Sequence, residues 1–147
     1  MPARVTPRGQ GIDSRAKALL AARAALDKQA EGVVVIDLRS LSTVTDFFVI
    51  CTAGSARQIT ALRDHIETVL DQQGCPVWHT EGEASSRGPM HESQWVLMDC
   101  GEIVVHLQDQ QARSFYLLEQ LWADAPRVPL DDPTPVSHAP PSRPPRP

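Results

Sequence analysis

With 147 residues, 41% of them apolar and 22% charged, the chain has room for one domain built around its own hydrophobic core. A formal net charge of −4 disfavours a phosphate-backbone binder, which carries a basic stripe, but leaves room for a protein partner that is itself basic. Cys51, Cys75 and Cys100 contain no CxxC pair and are odd in number, so reduced, packed thiols in a cytoplasmic protein are expected; no apolar run spans a membrane and no signal-peptide core opens the chain.

Residues 1–13, with Pro2, Pro7, Gly9 and Gly11, read as a loose arm. Asp13-Ser14 offers a helix cap, and Ala16, Leu19, Leu20 and Leu26 follow at helical spacing until Gly32. The alanine content of this helix suits close packing on a sheet. Residues 33–38 are a β-branched run, hence a buried strand, and residues 46–53 a second one after a polar connection. Gly54-Ser55 then opens the clearest helix. Ser55 with Gln58 three positions on is a capping-box pattern, Ile59, Leu62, Ile66, Val69 and Leu70 form one stripe, and Gly74 ends it.

Residues 76–81 predict a short strand closed by Gly82, and residues 83–94, with Gly88-Pro89, a loop. Two strands follow, 95–99 and 102–108, separated by Cys100-Gly101. A two-residue loop with glycine second favours a hairpin in which Asp99 pairs with Glu102, Leu97 with Val104 and Trp95 with His106. Alternation then places Trp95, Leu97, Asp99, Glu102, Val104 and His106 on one face and leaves Val96, Met98, Ile103, Val105 and Leu107 for the core. Asp109 is expected to cap a last helix with Phe115, Leu118, Leu121, Trp122 and Ala125 on one side, ending at Pro126. Nine of the thirteen prolines lie from Pro126 onward, so residues 129–147 are expected to form a disordered or extended tail. The order of elements predicts a single α/β domain, a mixed five-stranded sheet with packed helices, over residues 14–128.

Three chemistries compete with plain structure. Gly54-Ser55 at a strand-to-helix junction can cradle an anion, as in nucleotidyltransferases, but no Asp-x-Asp follows to hold Mg²⁺, and capping explains Ser55. A nucleotide-binding enzyme using this junction is the alternative function. His79, Glu81, His91 and His106 are a candidate metal set, though only His79 and Glu81 have ligand-pair spacing. Cys100 and His106 lie at opposite ends of the hairpin and cannot form a nucleophilic pair. The mixed face of the hairpin stands out instead. Core packing explains Trp95 and His106, but Asp99 directly opposite Glu102 weakens the sheet unless a basic partner relieves the repulsion, and an aromatic anchor beside acid is the composition of an interface hot spot.

Several of these segments match a known family. Thr45-Asp-Phe-Phe-Val-Ile-Cys-Thr-Ala-Gly-Ser-Ala-Arg-Gln58, Glu81-Gly82, Trp95-Val-Leu-Met-Asp99, Gly101-Glu-Ile-Val-Val-His106 and Arg113-Ser-Phe-Tyr-Leu-Leu-Glu-Gln-Leu-Trp122 resemble the signature of the ribosomal silencing factor (Iojap-like) family, in order and spacing, over about residues 14–128. The resemblance implies a non-enzymatic protein with a nucleotidyltransferase-like fold lacking the catalytic carboxylates, with no cofactor and no metal. It implies binding to the large ribosomal subunit through its fourteenth protein, a block on joining of the small subunit, and lowered translation when nutrients are short. It also implies a cytoplasmic homodimer, with no membrane and no sequence-specific nucleic acid among its partners. Carried over residue by residue, it places Glu81, Trp95, Asp99, Glu102, His106, Arg113 and Tyr116 at the partner surface, and Trp122 on the last helix. The chain departs from the family in the longer 83–94 loop, in Cys100, and in the proline-rich tail.

Overall fold

Two strands rich in branched apolar residues, Phe47–Ala53 (β2) and Ile103–Asp109 (β5), run parallel at the middle of a five-stranded sheet in the computed structural model, which describes residues 12–82 and 94–131. Glu31–Asp37 (β1) pairs antiparallel with β2. Trp95–Asp99 (β4) pairs antiparallel with β5, and the short His79–Glu81 (β3) with β4, giving the order β1-β2-β5-β4-β3. Ser14–Asp27 (α1) and Ala56–Gln72 (α2) pack on one face of this sheet. There Phe47, Val49, Cys51, Val96, Met98, Ile103, Val105 and Leu107 are fully buried, and each large apolar side chain so enclosed contributes about 1.5–3 kcal/mol.

Local chemistry sets both helices. The Asp13 carboxylate accepts the Ala16 N–H at 2.8 Å to start α1. Six alanines of α1 and Leu19 carry its buried side, so small residues bring the helix close to the sheet, and Leu26, expected in the apolar stripe, is 44% exposed instead. Ser55 caps α2 by accepting the Gln58 N–H at 3.0 Å. The Gln58 amide accepts from Gly54 N–H at 2.6 Å and donates to the Lys28 and Gln29 carbonyls, tying the start of α2 to the end of α1.

The hairpin register differs from expectation by two residues. Asp99 pairs with Val104, Leu97 with His106 and Trp95 with Gln108, and Cys100 N–H donates to the Ile103 carbonyl at 2.9 Å. The loop is therefore Gly101-Glu102, with glycine first at φ +85°, a left-handed position that costs glycine nothing. This register buries Cys100 and Ile103. A shift of two keeps every side chain on its face, so the expected core residues are core. Glu102 alone moves: it sits in the turn, pairs with Lys17 of α1 at 3.0 Å, and does not oppose Asp99.

The last helix also differs. Asp109 caps it as expected, but Gln110–Tyr116 (α3) stops at Leu117, whose φ of 51° and ψ of 49° are left-handed, and a single turn, Leu118–Leu121 (α4), follows. Phe115 and Leu121 are 73% and 70% exposed, while Leu118, Trp122 and Ala125 pack over Ile36, Leu38 and Ile50. The break brings Arg113 and Glu119 together (Nε–Oε1 2.9 Å, Nη2–Oε2 2.8 Å), whereas residues six apart on a straight helix share no face. The chain then closes the outer edge of β1, with Asp37 N–H donating to the Pro126 carbonyl and Val128 N–H to the Val35 carbonyl, both at 2.9 Å. The expected 76–81 strand shortens to the exposed β3. Most of the expected 83–94 loop and the tail beyond Asp131 lie outside the described residues. No helix among those described is long and apolar enough to cross a membrane.

Candidate functional site

Among the described residues, the sheet face away from α1 and α2 is only half covered. Leu118 of α4, Trp122 and Ala125 pack over the β1–β2 side, whereas on the side formed by β4, β3 and part of β5 Glu81 is exposed and Trp95, Leu97 and Asp99 are half-buried. Strand pairing places three rows of side chains across this face: Phe48, Val104, Asp99 and His79; Ile50, His106, Leu97 and Glu81; Thr52, Gln108 and Trp95. Trp95, Asp99 and His106 thus share one face, as alternation predicted, and the pairing of β3 with β4 adds Glu81 to it. Glu102 is turned toward α1 instead.

An aromatic ladder crosses the boundary between the covered and open halves. Trp95 stacks at a tilt on Tyr116, with ring centroids 4.5 Å apart, and Tyr116 meets Phe115 edge-on at 4.8 Å. Beneath it, His106 is buried between Trp95 and Phe48, whose ring lies 4.4 Å away. The Trp95 indole N–H donates to His106 Nδ1 at 3.1 Å. That nitrogen therefore carries no proton, and burial holds the imidazole pKa down at about 4. His106 Nε2 and both amide atoms of Gln108 are buried with no hydrogen-bond partner among the described residues.

The acidic side of the face lies on β4 and β3. Asp99 Oδ1 accepts the Gly101 N–H at 2.9 Å, which leaves its second oxygen available. Glu81 is exposed and meets His79 at 3.0 Å. Gly82 sits at φ +84°, where a Cβ would collide with the Trp95 carbonyl oxygen. The Glu-Gly pair is thus a packing device: only glycine lets the end of β3 lie against β4 at Trp95, and that places Glu81 on the face. The glycine after a strand was visible in the sequence; its contact with Trp95 was not.

Arg113 is turned inward. It is 9% exposed, donates to Thr52 Oγ1 at 2.6 Å and the Gly32 carbonyl at 2.7 Å, and forms a bidentate pair with Glu119. Arg113 in turn holds the Glu119 carboxyl below its usual range. The side chain fastens α3 and α4 to β1 and β2 and so sets where Tyr116 stands. Phe115, which sequence periodicity put on one apolar side with Leu118 and Trp122, extends the exposed aromatic surface.

The other candidate chemistries meet these geometries. At the Gly54-Ser55 junction the Gly54 and Gln58 N–H groups are taken by the Gln58 and Ser55 side chains. Of the metal set, His79 and Glu81 pair with each other, His106 is buried, and His91 lies outside the described residues; among those described no group of three His, Cys, Asp or Glu is placed to hold an ion. Cys51 and Cys100 are buried, and desolvation pushes both thiols up to about 12.

Known proteins are similar to this chain in sequence and fold. The sequence model of the family described as "Ribosomal silencing factor during starvation" (RsfS) matches residues 12–146. A "Ribosomal silencing factor RsfS" of Bacillus subtilis is 39% identical over 112 residues, covering 76% of this chain and 89% of that protein. Two crystal structures superpose on the chain. One, of a Chromobacterium violaceum protein, has a TM-score of 0.68 at 27% identity and covers 76% of this chain and 88% of the other. The second, from Bacillus halodurans, has a TM-score of 0.60 at 36% identity, with 75% and 93% covered.

Proposed function

We propose, from the premise that the chain belongs to the ribosomal silencing factor family, that it binds the large ribosomal subunit through that subunit's fourteenth protein and so denies the small subunit its docking surface. The observation that carries this reading is the half-open sheet face, where Trp95 and Tyr116 stand stacked beside Asp99 and Glu81 on a surface that α1 and α2 leave uncovered. An aromatic anchor contributes apolar area at little entropic cost, and carboxylates beside it select a basic partner and speed its approach. The chain's formal net charge of −4 points the same way, since a basic protein is attracted and a bare phosphate backbone is not.

Trp95, Tyr116, Asp99 and Glu81 are the contact residues in this reading. His106 and Arg113 serve the surface from beneath, and Glu102 serves through the turn that it closes with Lys17. The mechanism is steric: no bond is made or broken, and occupancy of the surface is the whole effect, lowering translation under nutrient limitation. A homodimer in the cytoplasm belongs to the same reading.

Sedimentation with separated subunits tests it. The protein should travel with free large subunits, not with small ones, and its addition before mixing should reduce the yield of joined ribosomes. Absence from the large-subunit fraction at low salt and micromolar protein would rule the reading out.

A further inference from the structure

His106 is placed at the partner surface by its sequence position, yet it is only 3% exposed and has almost nothing to offer a partner directly. Its ring is clamped between Phe48 and Trp95, and its Nδ1 faces the indole N–H. We propose that His106 is a positioning residue: by accepting the Trp95 indole N–H it holds the indole tilted on Tyr116, so that Trp95 presents a ring face and no polar group to the partner. The proposal rests on the reading of this face as the partner surface and adds what that surface recognises.

The chemistry follows from one donor. The N–H is the only polar group of an indole, and here it points inward at 3.1 Å from Nδ1. What remains outward is carbon and hydrogen alone: the π face attracts a cation on an apolar stem, arginine above all, and no N–H is left to donate to a carbonyl or carboxylate. Asp99 and Glu81 on the same face select the same sign of charge.

Stability alone does not call for a histidine at this position. Accepting at Nδ1 puts the ring's proton on Nε2, and that N–H is buried with no partner among the described residues, a costly state that a phenylalanine ring of similar shape would relieve. The histidine is explained by the one bond it does make.

Two variants and one cycle test this. His106→Phe removes the acceptor and keeps a ring; His106→Asn keeps a carbonyl oxygen near the position of Nδ1. The Phe variant should resist urea at least as well as the parent protein, bind large subunits about tenfold more weakly, as loss of one well-made hydrogen bond implies, and shift the Trp95 indole N–H resonance while speeding its solvent exchange. The Asn variant should restore the slow exchange and hold affinity to within about threefold. In a double-mutant cycle, Trp95→Phe with His106→Phe should bind no more weakly than Trp95→Phe alone, because the same bond is lost once. Wild-type binding by His106→Phe, when Trp95→Ala has lost binding, would overturn the proposal, and so would additive losses in the cycle. Full binding by Trp95→Ala would refute the partner surface instead, and the indole exchange rate in His106→Phe would then decide positioning by itself: unchanged exchange rejects it.

Discussion

Replacing Arg113 with alanine separates a contact residue from a residue of the frame. The guanidinium makes four hydrogen bonds, to Thr52, Gly32 and twice to Glu119, at 9% exposure. Its removal leaves the Thr52 hydroxyl and Gly32 carbonyl short of a donor and the half-covered Glu119 carboxylate without its counter-ion. Breaking a buried pair in this way costs about 3–5 kcal/mol; Glu119 retains 30% side-chain exposure, so the lower end, about 3 kcal/mol, is expected. With a urea slope of about 1.5 kcal/mol per molar, the unfolding midpoint should fall by about 2 M. Arg113→Lys should lose most of the same amount, since one ammonium cannot serve three acceptors spread across a planar fork. Equilibrium urea unfolding followed by far-UV circular dichroism gives the numbers. A midpoint within about 0.5 M of the parent protein, coupled with loss of ribosome binding, would refute the inward role and make Arg113 a contact.

Three further outcomes follow from the same geometry. His106 is held neutral down to a pKa of about 4, against 6.5 in the unfolded chain; the unfolded state therefore takes up its proton first, and about 3 kcal/mol of stability, complete above pH 6.5, is lost as the pH falls toward 4. His106→Phe should flatten that stretch of the stability–pH curve, and an unchanged slope would contradict the burial. Gly82→Ala forces a β-carbon onto the Trp95 carbonyl at φ +84°, so amide exchange should report loss of protection at β3 with β2 and β5 unaffected; retained β3 protection would contradict the contact. A thiol reagent at neutral pH should modify none of Cys51, Cys75 and Cys100 in the native state and all three in denaturant, because all are buried and desolvation raises each thiol.

The architecture was legible in the sequence because its signals are local. Ser55 with Gln58, Asp109 before α3, and the apolar alternation of β4 and β5 each depend on residues a few positions apart, and each forms as read. The errors came from distant contacts. Glycine in the loop was read as the second loop residue, whereas it stands first, in a register two residues away that has the same facing and buries Cys100 and Ile103. The helical stripe through Phe115 and Leu121 was real as a pattern, yet the pairing of Arg113 with Glu119 across Leu117 overrode it. At the site, alternation brought Trp95, Asp99 and His106 to one face, and Glu81 joined them only through the pairing of β3 with β4. That the histidine lies under the tryptophan, and that Gly82 fits against it, is tertiary information. No spacing rule carries it.

The most direct test of the partner surface is a calorimetric titration of the isolated fourteenth protein of the large subunit with this protein and with two variants, Trp95→Ala and Asp99→Lys. Both side chains are partly exposed on the open face, and the variants should keep the parent's circular dichroism spectrum. Saturable binding by the parent, lost or weakened at least tenfold in each folded variant, is the predicted result. Equal affinity for all three would place the binding surface elsewhere on the molecule.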